Sequence, residues 1–152
     1  HCDEVKIISL PSTLKSFYNA GFRYKPKLEK ISVAEGNNEF ISNGNCLISL
    51  KNNELWAGCP TTLIPSGVIR ICDYAFADSD IESMVVPEGL IYIMKNSFKG
   101  CKKLKQITLP QSLKTPEGCF DDLSNIQIVN APARFKDYFV KLNANIKFNA
   151  ID

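Results

Sequence analysis

Apolar positions return along this chain in one spaced order, and the order repeats every 22 to 23 residues: Pro65 to Pro87 is 22 residues, Pro87 to Pro110 is 23. In the clearest copy Leu104, Ile107 and Leu109 lead into Pro110. The same spacing gives Ile81, Met84, Val86, Pro87, then Ile126, Val129, Ala131, Pro132, and earlier Leu28, Ile31, Val33 with Ala34 in the proline slot. Ile107 and Leu109 alternate with Gln106 and Thr108, the two-residue period of a short strand with one buried face. Proline ends the strand because it has no N–H to give to a ladder. Three residues after Pro11, Pro65, Pro87 and Pro110 stand Leu14, Val68, Leu90 and Leu113. Eleven after the first three stand Phe22, Phe76 and Phe98, while Phe120 follows Pro110 by ten, that copy being one residue short. "CDYAF" and "KNSF" predict a single helical or 3-10 turn, capped by Asp73 or Asn96, that drops the Phe onto the core from the side opposite the strand. One unit of this size cannot bury its own apolar stripe, whereas five or six stacked units can, which predicts a solenoid with aliphatic and Phe rows through its interior.

One interval breaks the rhythm: from Ala34 to Pro65 is 31 residues. Within it "CLISL" and "LWAGC" flank "KNNE", and Asn52-Asn53 suits a two-residue turn because Asn tolerates left-handed backbone angles. A β-hairpin is therefore expected within about 35–60, projecting from the solenoid or extending its sheet. In that register Cys46, Ile48 and Leu50 share a face with Leu55, Ala57 and Cys59, and Trp56 points the other way. Cys46 then opposes Cys59 at a non-hydrogen-bonded pair, whose Cα spacing of about 4.5 Å admits a disulfide. After the last repeat, 131–152 reads as a C-terminal cap. Asn130 is its N-cap, Pro132 lies in the first turn, Phe135, Tyr138, Phe139 and Leu142 recur at helical spacing, and a short strand runs around Ile146 to Phe148.

The repeated text, as in "IPSGVIRICDYAF" and "SFKGCKKLKQITLP", resembles the BspA-like leucine-rich repeats of bacterial cell-surface proteins, from about Val5 to Pro132. The interrupting phrase is similar to a hairpin insertion common in that family. The resemblance implies a leucine-rich-repeat solenoid in a secreted or outer-surface protein of anaerobic gut or oral bacteria, with relatives in protozoan parasites. It implies adhesion to host proteins or other cells, and the family has no shared catalytic residues to carry across. This sequence departs from the pattern at Cys72, where Gly is usual, and in "LKTPEGCF", where Pro116 takes an aliphatic slot.

At 152 residues, 45% hydrophobic and 22% charged, the composition is that of one domain over 1–152 with a continuous core. The net charge of +2 argues against nucleic acid or an anionic membrane as partner. The opening "HCDEV" has neither Met nor the parts of a signal peptide, so a mature or trimmed fragment is expected. His1, the only histidine, reads as a tag remnant and leaves no His-dependent mechanism. Cys2 has an alternative reading as the acylated cysteine of a lipoprotein, and otherwise a membrane association needs an anchor outside this fragment. The six cysteines include no CxxC, which gives little support to a metal or redox site, and Cys101 reads as core packing. The pairs Asp78 with Asp80 and Asp121 with Asp122 fall in turns, where Asp bonds the backbone, rather than marking a glycosidase or calcium site. No cofactor and no enzymatic activity are expected.

What remains is the outward side of the strand row: Ile7 and Ser9, Lys30 and Ser32, Thr61 and Leu63, Ser83 and Val85, Gln106 and Thr108, Ile128 and Asn130, with Trp56 of the hairpin as a further candidate. This small, neutral and aliphatic stripe suits a protein partner, on a host or a bacterial surface, or a glycan, and does not suit polyanions, which need rows of Lys and Arg. Two other readings stay open: a solvated face with no ligand in a spacer that presents another domain, and Trp56 packed rather than exposed for recognition.

Overall fold

Ile107 and Leu109 are fully buried and Gln106 is exposed, as the alternation requires, and the strand that carries them is one rung of a long ladder. The computed structural model describes residues 4–16, 23 and 25–152. One side of the solenoid is built from parallel strands one repeat apart. Strands β1 (Ile7–Leu10) and β2 (Lys30–Val33) form one pair, and β7 (Ser83–Val85), β9 (Gln106–Thr108), β10 (Ile128–Ala131) and β11 (Lys147–Ala150) form a four-stranded sheet. Equivalent repeat positions lie side by side: Ser83, Gln106, Ile128 and Lys147 make one row, and Val85, Thr108, Asn130 and Asn149 the next.

A second side is also a sheet. Its order is β3 (Phe40–Asn43), β4 (Cys46–Ser49), β5 (Glu54–Ala57), β6 (Arg70–Ile71), β8 (Tyr92–Ile93). Strands β6 and β8 come from "VIRI" and "LIYI" and pair in parallel, Arg70 with Tyr92 and Ile71 with Ile93. The next turn adds no strand. There Lys114 still donates its N–H to Ile91 O, but Pro116 follows and has no N–H to offer.

Between the two sides the phenylalanines form a continuous stack. Phe76 and Phe98 lie 5.1 Å apart and nearly parallel, Phe98 and Phe120 5.4 Å apart, and Phe139 of the cap extends the row at 5.9 Å. Phe22, expected at its head, lies outside the described residues, as do His1 and Cys2. Burying each such ring contributes about 1.5–3 kcal/mol, so the row is a large share of what holds successive turns together. The two residues expected as caps are linked to each other across successive turns. Asp73 Oδ1 accepts the N–H of Asn96 at 3.2 Å, tying one turn to the next.

The insertion is a three-stranded meander rather than a hairpin, and it extends the second sheet through β5, which pairs in parallel with β6. Its first turn centres on Gly44 (φ 64) and Asn45 (φ 55), the two left-handed positions of a type I′ turn. Its second is a four-residue loop closed by Ser49 opposite Glu54, not the two-residue Asn52-Asn53 turn. A bulge then sets Leu47 opposite Ala57 and Ile48 opposite Leu55, leaving Trp56 as the extra residue. The expected common face is thereby divided. Cys46, Ile48 and Leu55 enter the main core, Ala57 and Cys59 join Leu28, Ile31, Phe40 and Leu47 in a smaller N-terminal core, and Leu50 stays exposed.

The Cys46–Cys59 bridge does not form, because this register does not set the two residues opposite each other, and both thiols are free. Cys46 Sγ donates to Asn43 O at 3.0 Å and Cys59 Sγ to Asn45 O at 3.4 Å.

In the cap a 3-10 turn over Ala133–Phe135 runs into α1 (Lys136–Leu142), and β11 overlaps the expected strand, starting one residue later and ending two residues later. Asn130 is part of β10 and not an N-cap, because its backbone is held by β9 and β11 on either side.

Candidate binding surface

The outward rows of the first side hold the residues expected to face solvent. Lys30, Ser83 and Gln106 are exposed, and three aliphatics stand well clear of the surface: Leu63 is 79% exposed, Val85 68% and Ile7 61%. Ser32, Thr108, Ile128 and Asn130 are only half-buried in the row because their neighbours one turn away cover them. Asn130 Nδ2 donates to Thr108 Oγ1 at 3.2 Å, Asn149 Nδ2 donates to Asn130 Oδ1 at 2.8 Å, and Ser32 Oγ donates to Ser9 Oγ at 3.0 Å. Such side-chain bonds, repeated from turn to turn, fix the rotamers before any partner arrives. Lys147 and Asn149 belong to these rows and were missed, although "IKFNA" carries the same two-residue alternation.

Thr61 and Leu63 are not in a strand. Leu63 donates its N–H to Gly44 O at 2.9 Å, so the tip of the meander takes the bond that a neighbouring strand would have used, and the first side is interrupted between β2 and β7. Gly44 is required there. A Cβ at that position would collide with Leu63 O, and its positive φ disfavours other residues. Thr61 nonetheless reaches β2's turn, its Oγ1 donating to Glu29 O at 2.7 Å.

The second sheet presents a row of another character, Glu54, Arg70, Tyr92 and Lys114. Arg70 Nη1 bonds Glu54 Oε1 at 3.0 Å, and its guanidinium lies 5.2 Å from the Tyr92 ring centre. Lys114 Nζ lies 4.9 Å from the same centre and donates to the Tyr92 hydroxyl at 2.8 Å. That bond and the Lys114 charge lower the Tyr92 pKa below its ordinary value. Trp56 is half-buried beside this row, edge-on to Phe40 at 5.3 Å, with Nε1 donating to Glu54 Oε2 at 3.4 Å.

Burial pushes the thiols of Cys46, Cys72, Cys101 and Cys119 up to about 12, which keeps them protonated and inert as nucleophiles near neutral pH. Cys101 Sγ donates to Phe76 O at 2.9 Å and Cys119 Sγ to Ile93 O at 3.3 Å, each bridging to the preceding turn. Among the described residues no group of His, Cys, Asp and Glu is arranged to hold a metal ion, and no helix is long and apolar enough to cross a membrane.

Parallel strands at a fixed repeat, a ring stack inside and a rigid sheet face outside define a leucine-rich-repeat solenoid. More narrowly, the chain belongs to the BspA-type leucine-rich repeat family, whose model matches six copies over residues 1–56 and 52–145. No curated protein sequence matches it. Among solved structures it is similar to the pneumococcal vaccine antigen PcpA, with a TM-score of 0.66 and 20% identity over 84% of this chain and 39% of that one. It is also similar to a leucine-rich repeat protein from Eubacterium ventriosum, with a TM-score of 0.54 and 17% identity over 96% of this chain and 48% of that one. A leucine-rich cell surface protein from Faecalibacterium prausnitzii gives a TM-score of 0.50 and 17% identity over the same shares. At these identities the likeness establishes a common fold. The chain spans less than half the length of each of these proteins.

Proposed function

We propose that this chain is a non-enzymatic recognition module of a cell-surface or secreted protein, and that it binds a partner protein through the outer face of the first side. The observation that carries this reading is the pair Leu63 and Val85, 79% and 68% exposed, held out on successive turns beside the hydrogen-bonded row Thr108, Asn130 and Asn149. Covering one such aliphatic contributes about 1.5–3 kcal/mol. Because the row is already ordered, little of that gain is lost to fixing side chains on binding. With Lys30 and Lys147 as the cations of these rows, the face matches a neutral protein surface better than a polyanion. Family membership and the cell-surface protein among the structural neighbours support a surface location, and a host or bacterial surface protein as the partner.

The test is binding of the purified chain to an array of soluble ectodomains, matrix glycoproteins and intact bacterial cells, followed by surface variants. Saturable binding that weakens about tenfold or more with Leu63→Glu or Val85→Glu, at unchanged melting temperature, is the expected result. Binding that ignores both substitutions places recognition elsewhere.

A further inference from the structure

The tip of the meander carries chemistry of its own. Asn43 and Gly44 are the one Asn-Gly pair of the chain, and every other asparagine is followed by a residue that has a side chain. Asn43 is the exposed last residue of β3, and Gly44 opens the turn at φ 64. Among the described residues nothing hydrogen-bonds the Asn43 carboxamide or the Gly44 N–H. The nitrogen that can attack and the carbon that can be attacked are therefore neighbours in the chain, both are free of internal partners, and residue 44 has no Cβ to crowd the approach. The fold also keeps the pair as it is. A Cβ at position 44 would collide with Leu63 O, so the glycine that makes Asn43 reactive is the residue the turn requires.

We propose that Asn43 is a site of self-modification, and that its conversion to isoaspartate releases Leu63 from the meander tip. The Gly44 nitrogen gives its proton to solvent and bonds to Asn43 Cγ. The bond from Cγ to the side-chain nitrogen breaks, and that nitrogen takes up a proton and leaves as ammonia. Water then opens the cyclic imide. Opening at Cγ gives aspartate, and opening at the backbone carbonyl gives isoaspartate, in which the main chain runs through the side-chain carbons. The balance is one water in and one ammonia out, with no change of oxidation state. Isoaspartate puts one more carbon into the main chain at the mouth of a two-residue turn, and that turn anchors the segment leading to Leu63. Leu63 donates its N–H to Gly44 O at 2.9 Å, Thr62 Oγ1 donates to Asn45 O at 2.6 Å, and Cys59 Sγ to the same oxygen at 3.4 Å. A lengthened turn no longer presents both carbonyls to these donors, so the bond that fixes Leu63 is lost. Any change in partner binding rests on the function proposed above for Leu63, whereas the conversion and the release do not.

The experiment incubates the whole folded chain in mildly alkaline buffer and follows each asparagine by peptide mapping and mass spectrometry. Asn43 is expected to become a mixture of aspartate and isoaspartate while Asn37, Asn52 and Asn96 stay amides. Asn43→Gln, whose longer side chain would have to close a six-membered ring, is expected to stay intact. The isoaspartate form is then separated by ion exchange, and its Leu63 N–H is expected to exchange with solvent at least about tenfold faster than in the unmodified chain. Asn43→Asp, which adds the same charge on an ordinary main chain, is expected to keep Leu63 protected. An Asn43 that stays an amide in the folded chain overturns the inference, whether or not it converts in urea. So does an isoaspartate form whose Leu63 amide remains as protected as before, or an Asn43→Asp chain that loses that protection equally.

Discussion

Gly58 lies flat against the ring of Phe76. A Cβ at position 58 would stand 2.8 Å from Cδ1 and closer still to Cζ and Cε1. The strand end of the meander thus packs directly on the Phe76 ring, and the Gly58 N–H donates to Ala75 O at 2.8 Å. Gly58→Ala is therefore expected to destabilise the fold by about 1–3 kcal/mol through overpacking, measured by urea unfolding. The cost should shrink in a Phe76→Leu background, because the ring is the obstacle. Equal costs in both backgrounds would mean that the backbone, not the ring, opposes the methyl group.

Removing a ring from the middle of the stack is the converse. Phe98 is fully buried between Phe76 and Phe120, so Phe98→Ala leaves a cavity that neither neighbour can fill without leaving its own turn. The expected loss is about 3–5 kcal/mol in the same measurement.

The buried thiols make stability depend on alkaline pH. Their ordinary value is 9.0, and burial raises Cys46, Cys101 and Cys119 to about 12. The folded state therefore holds protons that the unfolded chain gives up. The associated stability is complete below pH 9 and is lost progressively as pH rises toward 12. The urea midpoint is expected to fall as pH is raised from 9.0 toward about 12, and Ellman's reagent, used below that window, to react with these thiols only after denaturation. A Cys46–Cys59 cross-link in a non-reducing digest would contradict the register of β4 and β5 described above.

On the second sheet, Lys114→Met keeps the aliphatic stem and removes the charge. The Tyr92 phenol is then expected to return upward toward its ordinary value of 10.0, followed by NMR titration of the labelled tyrosine ring. No change would mean that Lys114 does not rest on Tyr92 in solution.

The row on the first side can be tested separately from any ligand. Asn130→Ala removes the acceptor of Asn149 and the donor to Thr108, but water reaches this half-buried row, so the expected cost is about 1 kcal/mol or less. A larger loss by urea unfolding would mean that the row also carries the fold.

The first-side strands and the Phe row were readable in the text because their signals are local: a two-residue alternation, a proline stop, a ring at a fixed offset. The second sheet was not, since β6 and β8 are two residues long and a pair of residues sets no period. Their strand character comes from the turns before and after them. The meander misled for a related reason. All four residues of β4 are buried, because its two faces serve two different cores, so no alternation marks its register, and the bulge at Trp56 is invisible without the partner strand. The turn at Gly44-Asn45 is written in "SNGN", whose Gly and Asn both tolerate the left-handed angles it needs. At the binding face the identities of Leu63, Val85, Gln106 and Lys30 could be read directly. The half-burial of Asn130 and Thr108 could not, because it depends on Asn149 one turn further on.

The account rests on each turn being held by the next, so that the outward rows form one rigid surface, and native-state amide hydrogen exchange tests this most directly. Val86 N–H is bonded to Thr108 O, Leu109 N–H to Asn130 O and Ile151 N–H to Ala131 O, three successive links between turns. They are expected to exchange slowly, with one shared opening free energy equal to that of global unfolding, and to accelerate together in Phe98→Ala. Independent opening, with one of these amides exchanging freely while another stays protected, would contradict it.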